Sequence, residues 1–222
     1  LADNHFQLLV SMHHIISDGW SVANLVQELG VFYAKQLGNS MLADSLDVLP
    51  VQYLDYASWQ NTRLSSHEGE MNKAFWQNSM KEAPSTSILP LHFPRPEKPS
   101  IVADEVTFTI RNEVFERLQM LSEMHRVSLF TLLKASYFVY LSQQTGQLDL
   151  VLGTDLAGRE EADLEPLIGF FIKVLPVRVK LTPSDTFLDL VMRVQQQLLT
   201  VQENQLLTLD NIIQASGVTR KN

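Results

Sequence analysis

Residues 13–19 read His-His-Ile-Ile-Ser-Asp-Gly and interrupt an apolar stretch with groups that can do acid–base work. A neutral imidazole takes up a proton near neutral pH, so a histidine facing a cavity suits general base catalysis. Neighbouring side chains on an extended segment point opposite ways, so only one of His13 and His14 can face a given cleft. Asp18 can order the turn by accepting backbone N–H bonds or by holding a cation. A buried Asp must be paired. Gly19 admits positive φ or a close backbone approach. HxxxD also arises by chance, and most histidines in apolar surroundings are satisfied core residues. A metal site needs a third ligand, and none stands nearby in the sequence.

The elements that must position this turn follow from periodicity. Phe6–Met12 is an apolar run suited to a buried strand. Ser21 is placed to cap a helix through Val22, Leu25, Val26, Leu29, Phe32 and Tyr33, ending near Gly38. Further helices are predicted over 51–63, 68–80, 112–124, 128–141 and 184–201. That over 128–141 is apolar almost all round, which predicts a buried helix. Strands are predicted at 106–110, 148–153 and 168–181, with Pro176 favouring an edge or a bulge in the last. Five of the nine prolines fall between Lys81 and Ser100, an extended connection and the best boundary between lobes. The alternation of strands and helices gives a mixed α/β class.

Composition narrows the function. The chain has 222 residues, 45% hydrophobic and 19% charged, which suits one large domain or two small lobes. Zero cysteines exclude disulfides, thiolate metal sites and a cysteine nucleophile. A net charge of −8 argues against nucleic acid as a partner. No uninterrupted apolar segment is long enough for a membrane span, and residues 1–5 do not open a signal peptide.

The HHxxxDG turn and five further segments together resemble the condensation domains of nonribosomal peptide synthetases. Residues 53–60 (YLDYASWQ) resemble that family's YxDYAxWQ segment, and 89–96 (LPLHFPRP) its Pro/Arg-rich crossing. Residues 153–159 (GTDLAGR) are similar to GTxxAGR, and 168–178 (IGFFIKVLPVR) to IGFFVNTLPLR. Glu203-Asn204-Gln205 begins a degraded match to EHQDxPFE. The six occur in the family's order along nearly the whole chain.

The resemblance implies a chloramphenicol-acetyltransferase-like α/β fold, two lobes in a V with a tunnel between them. Residues 1–83 would be the later part of the N-lobe, 84–101 the inter-lobe connection and 102–222 most of the C-lobe. His14 would be the active-site residue, as general base or as a positioning group. The Gly19 N–H would contact the substrate carbonyl or its oxyanion. His13 and Asp18 would be structural, Asp18 through a salt bridge to Arg159 that would tie the lobes together. Trp20, Ser21 and Lys173 would line the site or tunnel, Lys173 standing where the family usually carries Asn. No cofactor would bind directly. Substrates would arrive as thioesters on 4'-phosphopantetheine arms of donor and acceptor carrier proteins, beside an adenylation domain, in a cytoplasmic assembly line.

Two other functions remain open at this level. One is an acyltransferase of the same fold with a free amine or alcohol acceptor; the other is an inactive recruitment or epimerization-type relative. Tyr53, Tyr56 and Trp59 read as core by their helical spacing, and the acid-rich run 155–165 as a solvated loop. In the family a substantial stretch precedes HHxxxDG. The expectation is therefore a truncated domain, poorly stable or inactive when expressed as these residues alone.

Overall fold

The computed structural model describes residues 5–38, 46, 48–84, 89–91, 93, 96, 98, 100 and 102–217. They comprise α1 (Gly19–Gln36), α2 (Tyr53–Leu64), α3 (His67–Ser79), α4 (Asn112–His125), α5 (Leu129–Thr145), β1 (Asp149–Leu156), β2 (Lys173–Lys180), α6 (Phe187–Glu203) and α7 (Leu209–Ser216). The chain divides into two compact units. The first holds Leu1–Lys73, Asp155–Leu175 and Gln205–Thr208; the second holds Ala74–Thr154, Pro176–Asn204 and Leu209–Asn222.

Helix boundaries follow local chemistry. Asp18, not Ser21, is the N-cap of α1, accepting from the Ser21 N–H. Ser128 caps α5 in the same way, and Gly146 closes it in the left-handed region at φ 69°. Thr186 and Asp189 form a capping box that opens α6. Residues 65 and 66 separate α2 from α3. The short helix α7 was not visible in the periodicity.

β1 and β2 form a two-stranded sheet. The Leu181 N–H donates to the Leu148 carbonyl at 2.7 Å, so the start of β1 meets the end of β2. Two expected strands are not strands. Phe6–Met12 and Val106–Ile110 form no strand among the described residues, and Phe6 and Phe108 are 91% and 80% exposed. Apolar alternation specifies which face a strand would bury, but a strand also needs a neighbour for its N–H and C=O groups. The third, predicted over 168–181, begins as β2 only at Lys173; before it the backbones of Gly169, Phe170 and Phe171 bond to side chains.

In the second unit, α5 packs against α4 and α6. Leu132, Ala135, Phe138 and Leu141 of α5 are buried together with Leu150, Val177, Val179, Leu190, Val191, Val194 and Ile212. The helix is not buried all round, because Phe130, Leu133, Tyr137 and Tyr140 stay exposed. The indole of Trp76 is fully buried, and its N–H donates to the Asn204 carbonyl at 2.9 Å. Arg178 pairs with Asp149 through bonds of 2.6 and 2.9 Å and donates to the carbonyls of Ser79, Lys81 and Glu82. One guanidinium thereby joins β1, β2 and the end of α3. The proline-rich residues lie within this unit, but 85–88, 92, 94, 95, 97, 99 and 101, and with them much of the 89–96 motif, fall outside the described residues.

Phe138→Ala is expected to destabilise the chain by about 3–5 kcal/mol, since it empties a packed site. Met124→Gln, on the exposed side of α4, is expected to change stability by less than about 0.5 kcal/mol. Urea unfolding of the two variants beside the parent chain checks both.

Candidate active site

The turn is built from residue 13 onward. His13 is extended and its Nδ1 accepts from the Ile15 N–H at 3.0 Å, capping a 3-10 turn over His14–Ile16. Both imidazoles are exposed, and they differ in that the Nδ1 of His13 is taken by the backbone. The ring of His14 meets the ring of Phe170 edge to face, with centroids 5.4 Å apart. His14 and Asp18 do not share a helix: His14 lies in the 3-10 turn and Asp18 caps α1.

Asp18 is the polar centre of the site. Its side chain is 3% exposed, and four donors meet it. The Ser21 N–H and hydroxyl reach Oδ1 at 2.8 and 2.7 Å, and Arg159 reaches Oδ1 at 3.3 Å. The Phe171 N–H reaches Oδ2 at 3.0 Å. Burial pushes the carboxyl up, but the bonds from Ser21 and Phe171 and the Arg159 charge outweigh it and hold the carboxyl below its ordinary range.

Arg159 is not a solvated loop residue. Its side chain is 1% exposed. It donates to the carbonyls of Leu164 and Leu167 and to Ser21 Oγ, and its guanidinium lies 4.0 Å from the centre of the Phe171 ring. Asp18 and Arg159 are 141 positions apart yet belong to the same compact unit, so the pair closes a long loop within it. Gly158 just before has φ 68°, and a Cβ there would stand 1.9 Å from the Phe171 carbonyl oxygen, which accounts for glycine in that motif.

Ser21 does not line open space. It is fully buried. Its hydroxyl lies 2.7 Å from Asp18 Oδ1 and from the Gly169 carbonyl oxygen, and donates to one of them at a time. It accepts from the Gly169 N–H and Arg159, each at 3.0 Å. Trp20 is half exposed and donates its indole N–H to the Glu165 carbonyl at 2.9 Å, where Asn24 also bonds. Gly19 opens α1 without positive φ, and a Cβ there would meet nothing within 4 Å. Neither backbone strain nor a close neighbour within the chain calls for glycine at that position. As the first residue of α1, its N–H has no intrahelical partner.

Lys173 is turned into the protein, 7% exposed, and donates to Glu160 at 3.0 Å and the Gln205 carbonyl at 2.8 Å. Glu160 also takes Arg63, whose guanidinium bonds Glu68 and stacks over Trp59. Glu160 thus leaves the solvated run 155–165 and becomes a bridge. Tyr56 packs with Leu164, Leu167 and Phe171, as its spacing predicted for core. Burial and the nearby Glu160 charge push its phenol up to about 12. The sequence reading missed Ser21 as a brace, Glu160 as a bridge and Phe170 as the partner of His14. Ser21 had a usable signal: it follows Asp18 by three residues, the spacing of a capped first turn.

Asp18→Asn leaves Arg159 without its charge partner and puts an amide N–H where Phe171 N–H needs an acceptor. A loss of about 3–5 kcal/mol is expected. The Asp18 carboxyl titrates lower in the folded chain than its ordinary 3.8, so its contribution is fully present above about pH 3.8 and disappears as pH falls through the lower folded value. Urea unfolding across pH should show the gap between parent and variant closing in acid. A gap of constant size from neutral pH down would contradict this account.

Comparison with known proteins agrees with the motif order. The family model described as Condensation domain matches residues 1–222. Malpinin synthetase of Mortierella alpina is 33% identical over 219 residues, covering 99% of this chain and 3% of that protein. Gramicidin S synthase 2 of Brevibacillus brevis is also 33% identical over 219 residues, covering 99% of this chain and 5% of that one. The solved complex of the X-domain and OxyB from teicoplanin biosynthesis matches with a TM-score of 0.81 at 27% identity, over 93% of this chain and 46% of that one. The chain therefore spans a few per cent of these synthetases and about half of the solved domain. A turn braced by Asp18, Ser21 and Arg159, a mixed α/β fold and a match along its whole length place this chain in the condensation-domain family of the nonribosomal peptide synthetases.

Proposed function

We propose that this chain carries the active-site turn of a domain that forms an amide bond between two carrier-bound substrates. The donor is an acyl or peptidyl thioester and the acceptor an aminoacyl thioester, each on a 4'-phosphopantetheine arm of its own carrier protein. The observation that carries the reading is the division of labour in the turn: His13 Nδ1 and the Asp18 carboxylate take internal bonds, and the exposed His14 ring meets Phe170.

The chemistry needs few groups. The acceptor amine attacks the donor carbonyl, a C–N bond forms, and the C–S bond breaks to release the donor thiol. The amine proton passes to His14 Nε2 or Nδ1 and from there to the departing sulfur. The Gly19 N–H donates to the oxyanion that develops on the carbonyl. Asp18 and Arg159 hold the turn and touch no substrate. No acyl-enzyme is involved, and holding two tethered reactants together supplies much of the rate. The buried ion pair of Lys173 supports a bracing role for that residue rather than contact with the donor.

This reading brings with it the family's two-lobed, V-shaped, chloramphenicol-acetyltransferase-like architecture. Residues 1–83 then belong to the N-lobe, 84–101 to the connection and 102–222 to the C-lobe. It also brings a neighbouring adenylation domain and a cytoplasmic setting. A second reading, recruitment of another protein, draws on the X-domain structure, which was solved in complex with OxyB.

The test is mass spectrometry on the natural protein that contains these residues, supplied with two loaded carrier proteins. A dipeptidyl-carrier product is expected, falling about 10²- to 10⁴-fold in His14→Ala. A pH–rate profile separates the two roles of His14, because a base gives an acidic limb that the variant lacks. Transfer to a free amine or alcohol, with none to a carrier-bound amine, would overturn the reading.

A further inference from the structure

We propose that Phe170 is a positioning residue that sets the orientation of the His14 imidazole, and that Tyr53 is the strut that fixes Phe170. The inference rests on the reading of His14 as the active-site residue.

Residues 168–172 belong to no strand, so their backbone is held by side chains. Each of three consecutive residues has its own brace. Ser21 Oγ bonds both the N–H and the carbonyl region of Gly169. The Tyr53 hydroxyl donates to the Phe170 carbonyl at 2.9 Å. Asp18 takes the Phe171 N–H. All three braces come from residues 18–53, so the segment is tied directly to the histidine turn and to the start of α2.

Two adjacent phenylalanines on such a segment must diverge. Phe171 goes inward: it is buried against Tyr53, Tyr56 and the Arg159 guanidinium, with centroid distances of 5.1, 4.7 and 4.0 Å. Anchoring Phe171 sends Phe170 to the other side, where its ring meets His14 at an interplanar angle of 79°.

Tyr53 acts over a short lever. Its ring lies against Gly169 so closely that a Cβ there would come within 2.2 Å of Cδ2. Glycine at 169 lets the ring pass and the hydroxyl reach the next carbonyl. Burial, and then the Asp18 charge, push the Tyr53 phenol up, which keeps its proton on as the donor.

The consequence for His14 is conformational. An exposed imidazole samples several rotamers, and an edge-to-face aromatic partner biases it toward one. The ordinary worth of such a pair corresponds to a two- to tenfold gain in the favoured rotamer, roughly, and hence in kcat if only that rotamer reacts.

The test uses the natural protein with ¹³C-labelled histidine and three variants. Phe170→Leu removes the ring and keeps apolar bulk; Phe170→Tyr keeps the ring; Tyr53→Phe removes only the strut's hydroxyl. In Phe170→Leu the His14 ring resonances are expected to move while those of His13 stay, and kcat to fall two- to tenfold, roughly, at unchanged KM. Phe170→Tyr should restore both, and Tyr53→Phe should shift His14 in the same sense as Phe170→Leu. Unmoved His14 resonances in Phe170→Leu, or an unchanged kcat where the parent is active, would overturn the proposal. A parent that makes no carrier-bound dipeptide defeats the functional reading instead, and the resonance measurement still decides the Phe170 contact.

Discussion

The charge on Asp18 has to be accommodated inside the protein, and the arrangement of the first unit follows from that. A carboxylate with almost no solvent access is tolerated only when its lone pairs are met by donors with good geometry. The chain recruits those donors from three places: the first turn of α1, the backbone at Phe171 and the side chain of Arg159. Each donor fixes a different segment relative to the histidine turn. Satisfying one acid therefore sets the positions of residues 13–21, 158–159 and 168–171 together.

Ser21 extends this constraint. Its hydroxyl is short and fully buried, and it touches Asp18, Arg159 and both ends of the Gly169 peptide. Around it lies an aromatic layer of Tyr53, Tyr56 and Phe171, with Arg159 stacked on the last of these. A guanidinium is suited to such a place. Its edges donate to carbonyls and an acid while its face lies on a ring. Further out, Glu160 joins Arg63 of α2 to Lys173 of β2. Polar groups thus form the inner frame of the site, and apolar packing closes over them.

Much of this frame was legible from local chemistry. The spacing His-His-x-x-x-Asp-Gly led to a strongly paired Asp, because that follows from burial cost; the alternation of His13 and His14 did not hold, because His14 enters a 3-10 turn and both imidazoles are exposed. Helix periodicity located α1 to α6 to within a few residues. Legibility ended where the outcome depended on partners distant in sequence. Phe6–Met12 and Val106–Ile110 have strand patterns and no ladder, and α5 has an apolar surface that its neighbours cover only in part. Lys173, Ser21 and Glu160 were misplaced for a related reason. A polar side chain buries itself when donors and acceptors converge on it, and that convergence is not written near it in the sequence.

The sequence by itself determined which residues can do acid–base work, which stretches form α1 to α6 and the family to which the motif order belongs. These depend on residue type, short spacing and linear order. Only the tertiary structure decided that Phe170 rather than Phe171 meets His14, and that Tyr53 holds the carbonyl between them. Those outcomes are set by contacts across more than a hundred residues, such as the 117 between Tyr53 and Phe170, and exist only once the chain has closed around the Asp18 carboxylate.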